Sequence, residues 1–162
     1  VITISRLGED RWQDYRDLRL EALKKEPQAF SSSWEEEQLL PEAVWRQRIK
    51  NALFAMEDNK PVGTVAIFCN NRPKTKHVCE IFGVYLRKEY RGRGISKLML
   101  NAALVEIKTF KGITKIKIGV IPTQKAAKHL YLKYGFKPIG HLKKEVCVDG
   151  KFYDELLMEQ HL

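Results

Sequence analysis

The feature that most restricts the fold is a junction between a strand and a helix in the middle of the chain. Val78, Cys79, Ile81, Phe82, Val84 and Tyr85 have the β-branched and aromatic character of a strand. Ile95, Leu98, Met99, Ala102, Ala103 and Val105 then recur at the intervals of an amphipathic helix, which Gly112 ends. The link between them is Arg87-Lys88-Glu89-Tyr90-Arg91-Gly92-Arg93-Gly94. A chain that changes hydrophobic period across so short a loop must lay a helix against a sheet, so the fold is layered α/β.

The flanking segments extend the pattern. A strand is expected over residues 1–7, then a helix with Asp10 at its N-cap and Trp12, Tyr15, Leu18, Leu20, Ala22 and Leu23 on its apolar side, stopped by Pro27. Ser31 to Ser33 form a polar break and Glu35 to Glu37 a solvated acidic face. Pro41 suits the first turn of a second helix that continues through Trp45 and Ile49. Leu53–Met56 and Val62–Cys69 form a hairpin about Glu57-Asp58-Asn59-Lys60, and the strand of the central junction makes the third member of a meander. Ile116, Ile118 and Val120 alternate as in a strand, Gln124 to Tyr134 reads as a helix closed by Gly135, and Asp149-Gly150 joins two tail strands at 139–148 and 151–159. The order β α α β β β α β α β β predicts an α/β (α+β) fold. Its sheet is mixed, mostly antiparallel and twisted, flanked by about four helices, and residues 1–162 form a single domain.

Composition narrows the function. With 44% hydrophobic and 30% charged residues the chain is neither disordered nor fibrous. No apolar run reaches the ~18 residues of a membrane span, and Val1 to Arg6 lack a secretory signal, so a cytoplasmic protein with no membrane partner is expected. Cys69, Cys79 and Cys147 are odd in number and lack CxxC spacing, so no disulfide framework is expected. They also form no ligand spacing with His77, His129, His141 or His161, and no metal is expected. Cys79 beside His77 reads as a small buried hydrophobe rather than a nucleophile. The formal charge of +9 is uneven: residues 1–60 carry 10 basic and 12 acidic groups, whereas 61–162 carry 19 and 8, giving −2 and +11. The second half therefore attracts an anion, either nucleic acid or a phosphorylated cofactor.

The central loop is built for the latter. Gly92 and Gly94 let backbone approach a ligand, the first helical turn offers unpaired N–H groups, and Arg91 and Arg93 add charge. The P-loop pattern is absent, as are the third glycine and downstream acid of a dinucleotide fingerprint. Arg91-Gly92-Arg93-Gly94-Ile95-Ser96 resembles the pyrophosphate loop of the GCN5-related N-acetyltransferase (GNAT) superfamily, with Ser96 where Gly or Ala is usual. Gln124-Lys125-Ala126-Ala127-Lys128-His129-Leu130-Tyr131-Leu132-Lys133-Tyr134-Gly135-Phe136 is similar to that family's second motif, with Gln124 replacing the common Asn. Ala29 to Ser33 and Glu35 to Glu37 extend the likeness upstream.

The resemblance implies an enzyme that moves the acetyl group of acetyl-CoA, its cosubstrate, directly to an amine. Backbone groups of Val84 and Leu86 would align the pantetheine, an amide at Val84 or Tyr85 would stabilise the oxyanion, and Arg91, Gly92, Arg93, Gly94, Ile95 and Ser96 would hold the pyrophosphate. Gln124 would contact the cofactor arm. Tyr131 takes the general-acid position, and Glu80 matches a place where some members carry a base. Tyr134, on a similar helical face, is expected to pack against Phe136, and Glu35 to Glu37 could border the amine acceptor. The acceptor itself stays open among small amines and peptides, and the tail strands could pair across a homodimer. The competing readings are a basic nucleic-acid-binding module and a CoA-binding sensor without turnover. Lys115 and Lys117 share a strand face, but no nucleic-acid signature accompanies them.

Overall fold

The computed structural model describes all residues from Val1 to Leu162. Its strands are β1 (Thr3–Ser5), β2 (Ala52–Glu57), β3 (Lys60–Cys69), β4 (Val78–Leu86), β5 (Lys115–Val120), β6 (Lys137–Val148) and β7 (Lys151–His161). They form one sheet in the order β1-β2-β3-β4-β5-β7-β6. Every adjacent pair is antiparallel except β4 with β5. The helices are α1 (Trp12–Lys25), α2 (Trp34–Glu37), α3 (Glu42–Ile49), α4 (Ile95–Thr109) and α5 (Lys125–Lys133). This is the expected mixed, mostly antiparallel sheet flanked by helices.

Strand alternation divides the core in two. On β2, Leu53 and Ala55 join one apolar cluster while Ala52, Phe54 and Met56 join another. The first cluster is completed by Ile95, Met99, Leu100, Ala103, Leu104 and Ile107, one stripe of α4, together with Tyr131 of α5. The second is completed by Tyr15, Leu18, Ala22 and Leu23 of α1 and Trp45 and Ile49 of α3. Helices thus cover both faces of β2, which explains why it reads as a continuous apolar run rather than an alternating one. Two hairpins turn through left-handed residues, Asp58 and Asn59 (φ 46° and 63°) and Asp149 and Gly150 (φ 48° and 78°), as two-residue turns of type I′ require.

Several local expectations are corrected. Asp10 is not an N-cap: a 3-10 turn over Glu9–Arg11 precedes α1, and Arg11 stands at the cap without a side-chain bond. Pro41 lies at the N-cap of α3 rather than inside its first turn. The polar break at Ser33 starts a helix, α2, through a capping box in which Glu36 N–H donates to Ser33 Oγ and Ser33 N–H donates to Glu36. Cys69 and Cys79 form a disulfide. They are ten residues apart in sequence, and only the β3/β4 register, which places them directly opposite, brings them together.

Glu37 is not on a solvated face either; it is 2% exposed. Arg19 Nε and Nη2 donate to its two oxygens at 3.1 and 2.9 Å, and Arg48 Nη1 donates at 2.7 Å, tying α2 to α1 and α3. Burial by itself would raise this carboxyl, but the Arg19 hydrogen bond and the charges of Arg19 and Arg48 outweigh it and hold the group below the ordinary carboxylate range. Glu37→Gln leaves both guanidiniums without their anion and is expected to lower stability by ~2–4 kcal/mol in urea unfolding at pH 7. A lowered folded-state value means that this stabilisation is present above the unfolded carboxylate value and is lost as pH falls through the folded one. The gap between wild type and variant should therefore close below pH ~4.

Candidate active site

The site begins with a fault in β4. Thr64 of β3 pairs with Tyr85 and Ala66 pairs with Phe82, so two steps on β3 match three on β4. The extra residue falls at Gly83, whose φ of 60° places it in the left-handed region. The bulge reverses the alternation: Cys79 and Ile81 face the α4 side of the sheet, whereas Tyr85 faces the α1 side, where its hydroxyl donates to Glu21 at 2.9 Å. It also marks where β4 leaves its parallel partner. Pairing with β5 runs from Val78↔Lys115 to Ile81↔Ile118 and stops there. Beyond that point Val84, Tyr85 and Leu86 continue without a partner strand on the β5 side, an open edge suited to an extended ligand.

Beyond β4 lies the glycine loop. Gly92 and Gly94 have φ of 73° and 77°, and a Cβ placed on either would meet nothing within 4 Å. Backbone conformation, not crowding, selects glycine here, and the space above both stays clear. The N–H groups of Gly92, Arg93, Gly94, Ile95, Ser96 and Lys97 donate to no backbone carbonyl, and no side chain caps α4. Six free donors at a helix N-terminus fit a diphosphate. The arginine side chains are partly committed elsewhere. Arg91 Nε donates to Leu86 O at 2.9 Å and its Nη2 pairs with Glu26 at 3.0 Å, while the Arg93 guanidinium lies 5.3 Å from the Tyr90 ring centre.

A groove of about 590 Å³ runs from this loop along the open β4 edge to α5. Val84, Leu86, Arg91, Gly92, Gly94, Ile95, Ser96 and Gln124 all line it. A second cavity of about 190 Å³ lies on the other side, bordered by Arg19, Phe30, Glu80, Phe82, Gly119 and Glu155. The two meet at Ala29, Phe30, Val84, Gln124 and Tyr131, which belong to both walls. Tyr131 is 5% exposed, its hydroxyl has no hydrogen-bond partner in the protein, and burial pushes its phenol up to about 12.

The fold brings together most of the residues named from sequence: Val84, Gln124 and Tyr131 where the two cavities meet, Glu80 on the wall of the smaller one, and Arg91, Gly92, Gly94, Ile95 and Ser96 along the groove, whereas Arg93 lies outside its lining. Glu35 to Glu37 are not among them. Tyr131, rather than Tyr134, has the ring that meets Phe136, at 6.2 Å and 64°. Three residues were missed. Gly83 could have been found as an isolated glycine inside a strand pattern, the usual mark of a bulge. Gly119 and Glu155 left no signal, because strand pairing alone puts them beside Glu80.

Residues 8–136 match the sequence profile of the Acetyltransferase (GNAT) family, and the chain belongs to that family. It is similar to the L-amino acid N-acetyltransferase AaaT of Escherichia coli (strain K12), 25% identical over 71% of this chain and 74% of that one. It spans between 41% and 58% of the length of several other curated relatives. Among solved structures, a GNAT-family acetyltransferase from Streptococcus pneumoniae superposes with a TM-score of 0.87 at 22% identity, covering 100% of both chains. YncA of Salmonella typhimurium, solved with its cofactor acetyl-CoA, gives 0.83 at 15% identity, covering 100% of this chain and 94% of that one.

Proposed function

We propose that the protein transfers the acetyl group of acetyl-CoA to a primary amine of a small-molecule or peptide acceptor, directly and within a ternary complex. The observation that carries this reading is the junction of the two cavities at Val84, Gln124 and Tyr131. A cofactor arm in the groove and an amine in the cavity would meet there, with no nucleophilic side chain between them. Family membership supports the cosubstrate. The basic side chains that could have served a polyanionic partner, Arg91, Lys97, Lys125 and Lys133, line this same groove.

Acetyl-CoA supplies an activated acetyl thioester. Residues 92–97 hold its pyrophosphate through backbone donors, and the open edge at Val84 and Leu86 aligns the pantetheine as an added strand would. The Val84 amide, at the bulge, polarises the carbonyl. Tyr131 faces the departing sulfur. With its phenol near 12 and a thiol near ~8.5, full proton transfer is uphill by ~3.5 units, or ~5 kcal/mol. Tyr131 therefore keeps its proton and stabilises the developing thiolate by donating a hydrogen bond. Glu80, on the wall of the acceptor cavity, supplies negative charge toward the incoming ammonium. Isothermal calorimetry should show one acetyl-CoA per chain with a micromolar Kd. Absence of binding by the intact protein removes the proposal.

A further inference from the structure

The acceptor cavity holds a carboxylate to which neither motif gives a role. Glu155 stands on β7, which pairs with β5 in the register Gly119↔Leu157 and Val120↔Leu156, so Glu155, Leu157 and Gly119 share a face. Its side chain leans across β5. A Cβ at Gly119 would lie 2.3 Å from Glu155 Oε1 and 3.4 Å from its carboxyl carbon, so the carboxylate occupies the space that any other residue at 119 would fill. The next strand is β4, where Glu80 pairs with Lys117, two residues before Gly119 on the same face. Two carboxylates from strands that are not paired with each other thus border one cavity.

Both are free. Glu21, Glu37, Glu106 and Glu159 each hold a cationic side chain, whereas neither Glu80 nor Glu155 has an ion pair or hydrogen bond within the protein. Glu145 on β6 and Glu80 on β4 act on Glu155 by charge, Arg19 on α1 and Tyr131 on α5 line the same cavity, and Lys117 on β5 pairs with Glu80 in strand register on the same sheet face. Arg19 is already engaged, with Nε and Nη2 on Glu37. Burial, then the charges of Glu145 and Glu80, push the Glu155 carboxyl above its ordinary value, the direction that favours a base.

We propose that Glu155, reaching over Gly119, forms with Glu80 a two-carboxylate seat for an aliphatic ammonium acceptor, and that Glu155 takes the proton this group must lose. The proposal rests on the acetyl-transfer reading above. The ammonium N–H proton passes to a Glu155 oxygen, leaving a neutral amine. Its lone pair bonds to the thioester carbonyl carbon, the C–S bond breaks, and the pair leaves on sulfur. The second nitrogen proton ends on the thiolate, and Glu155 returns its proton to solvent. Glu80 takes no proton in this sequence and holds the substrate's nitrogen.

The test is amine-dependent thiol release across pH, with acetyl-CoA and a panel of alkylamines, for wild type, Glu155→Gln, Glu80→Gln and Gly119→Ala. Gly119 does not lie in the left-handed region, so alanine is tolerated there and displaces only the flexible end of Glu155. Glu155→Gln should lower kcat/KM by about 100-fold. Its rate should keep climbing with pH toward the amine's own value of ~10.4, where wild type levels off after a single carboxylate ionisation. Glu80→Gln should raise KM and leave the acid limb in place, and Gly119→Ala should lose about tenfold with acetyl-CoA affinity unchanged. If Glu155→Gln keeps the wild-type pH profile, or Gly119→Ala keeps wild-type activity, the assignment of Glu155 falls while the transferase stands. Thiol release by wild type with no amine at all would instead remove the acetyl-transfer reading itself.

Discussion

Tyr131→Phe is expected to lower kcat by about 10²–10³-fold while the Kd for acetyl-CoA stays within about twofold of wild type. The phenylalanine keeps the ring, so its contact with Phe136 and its place in the α4-side core survive. Only the hydroxyl is lost. That hydroxyl has no hydrogen-bond partner in the protein, and Tyr131 lines both cavities, so its removal strands no donor or acceptor. A hydrogen bond formed only as negative charge develops on sulfur affects the transition state and not the bound cofactor. Pre-steady-state kinetics and calorimetry on the same preparation separate the two quantities. Equal turnover in the variant would return Tyr131 to a packing role.

The second large effect concerns the loop. Gly94→Val should weaken acetyl-CoA binding by about 100-fold, or ~2.7 kcal/mol. A β-branched residue in the left-handed region costs about 1–2 kcal/mol by itself, and its methyl groups enter the clear space above the six free N–H groups. Gly112 supplies the control. It too is left-handed, with φ of 81° and nothing within 4 Å of a Cβ, but it lies beyond the other end of α4. Gly112→Val should therefore reproduce the loss of Tm without the loss of affinity. Equal Kd values for the two variants would separate the glycine loop from cofactor binding.

The parts of this fold legible in sequence are those set by local chemistry. Apolar runs, β-branched residues and turn signals marked every strand, and hydrophobic period marked the helices α1, α3, α4 and α5. The turns at Asp58-Asn59 and Asp149-Gly150 announced themselves by residue type, and glycine before a helix marked the loop whose N–H groups are free. The rest depends on partners distant in sequence. Glu37 looks like one of three solvated acids until α1 and α3 bring Arg19 and Arg48 to it. Cys69 and Cys79 meet only through strand register. Ser33-x-x-Glu36 is a readable capping box that a four-residue helix left too little periodicity to support.

The cavity proposed for the acceptor changes the meaning of the charge distribution most. The −2 first half suggested that its glutamates would attract a cationic amine, yet the acids that border the cavity are Glu80 and Glu155, both in the +11 half. The same half of the chain thus supplies the free N–H groups proposed to hold phosphate on one side of the junction and the carboxylates on the other.

The most direct test of the central claim is a stopped assay of free thiol with mass analysis of the amine, using acetyl-CoA and a panel of alkylamines. The expected result is thiol released only when an amine is present, in one-to-one ratio with the acetylated amine. Acetyl-CoA bound tightly but never turned over with any amine would contradict the account.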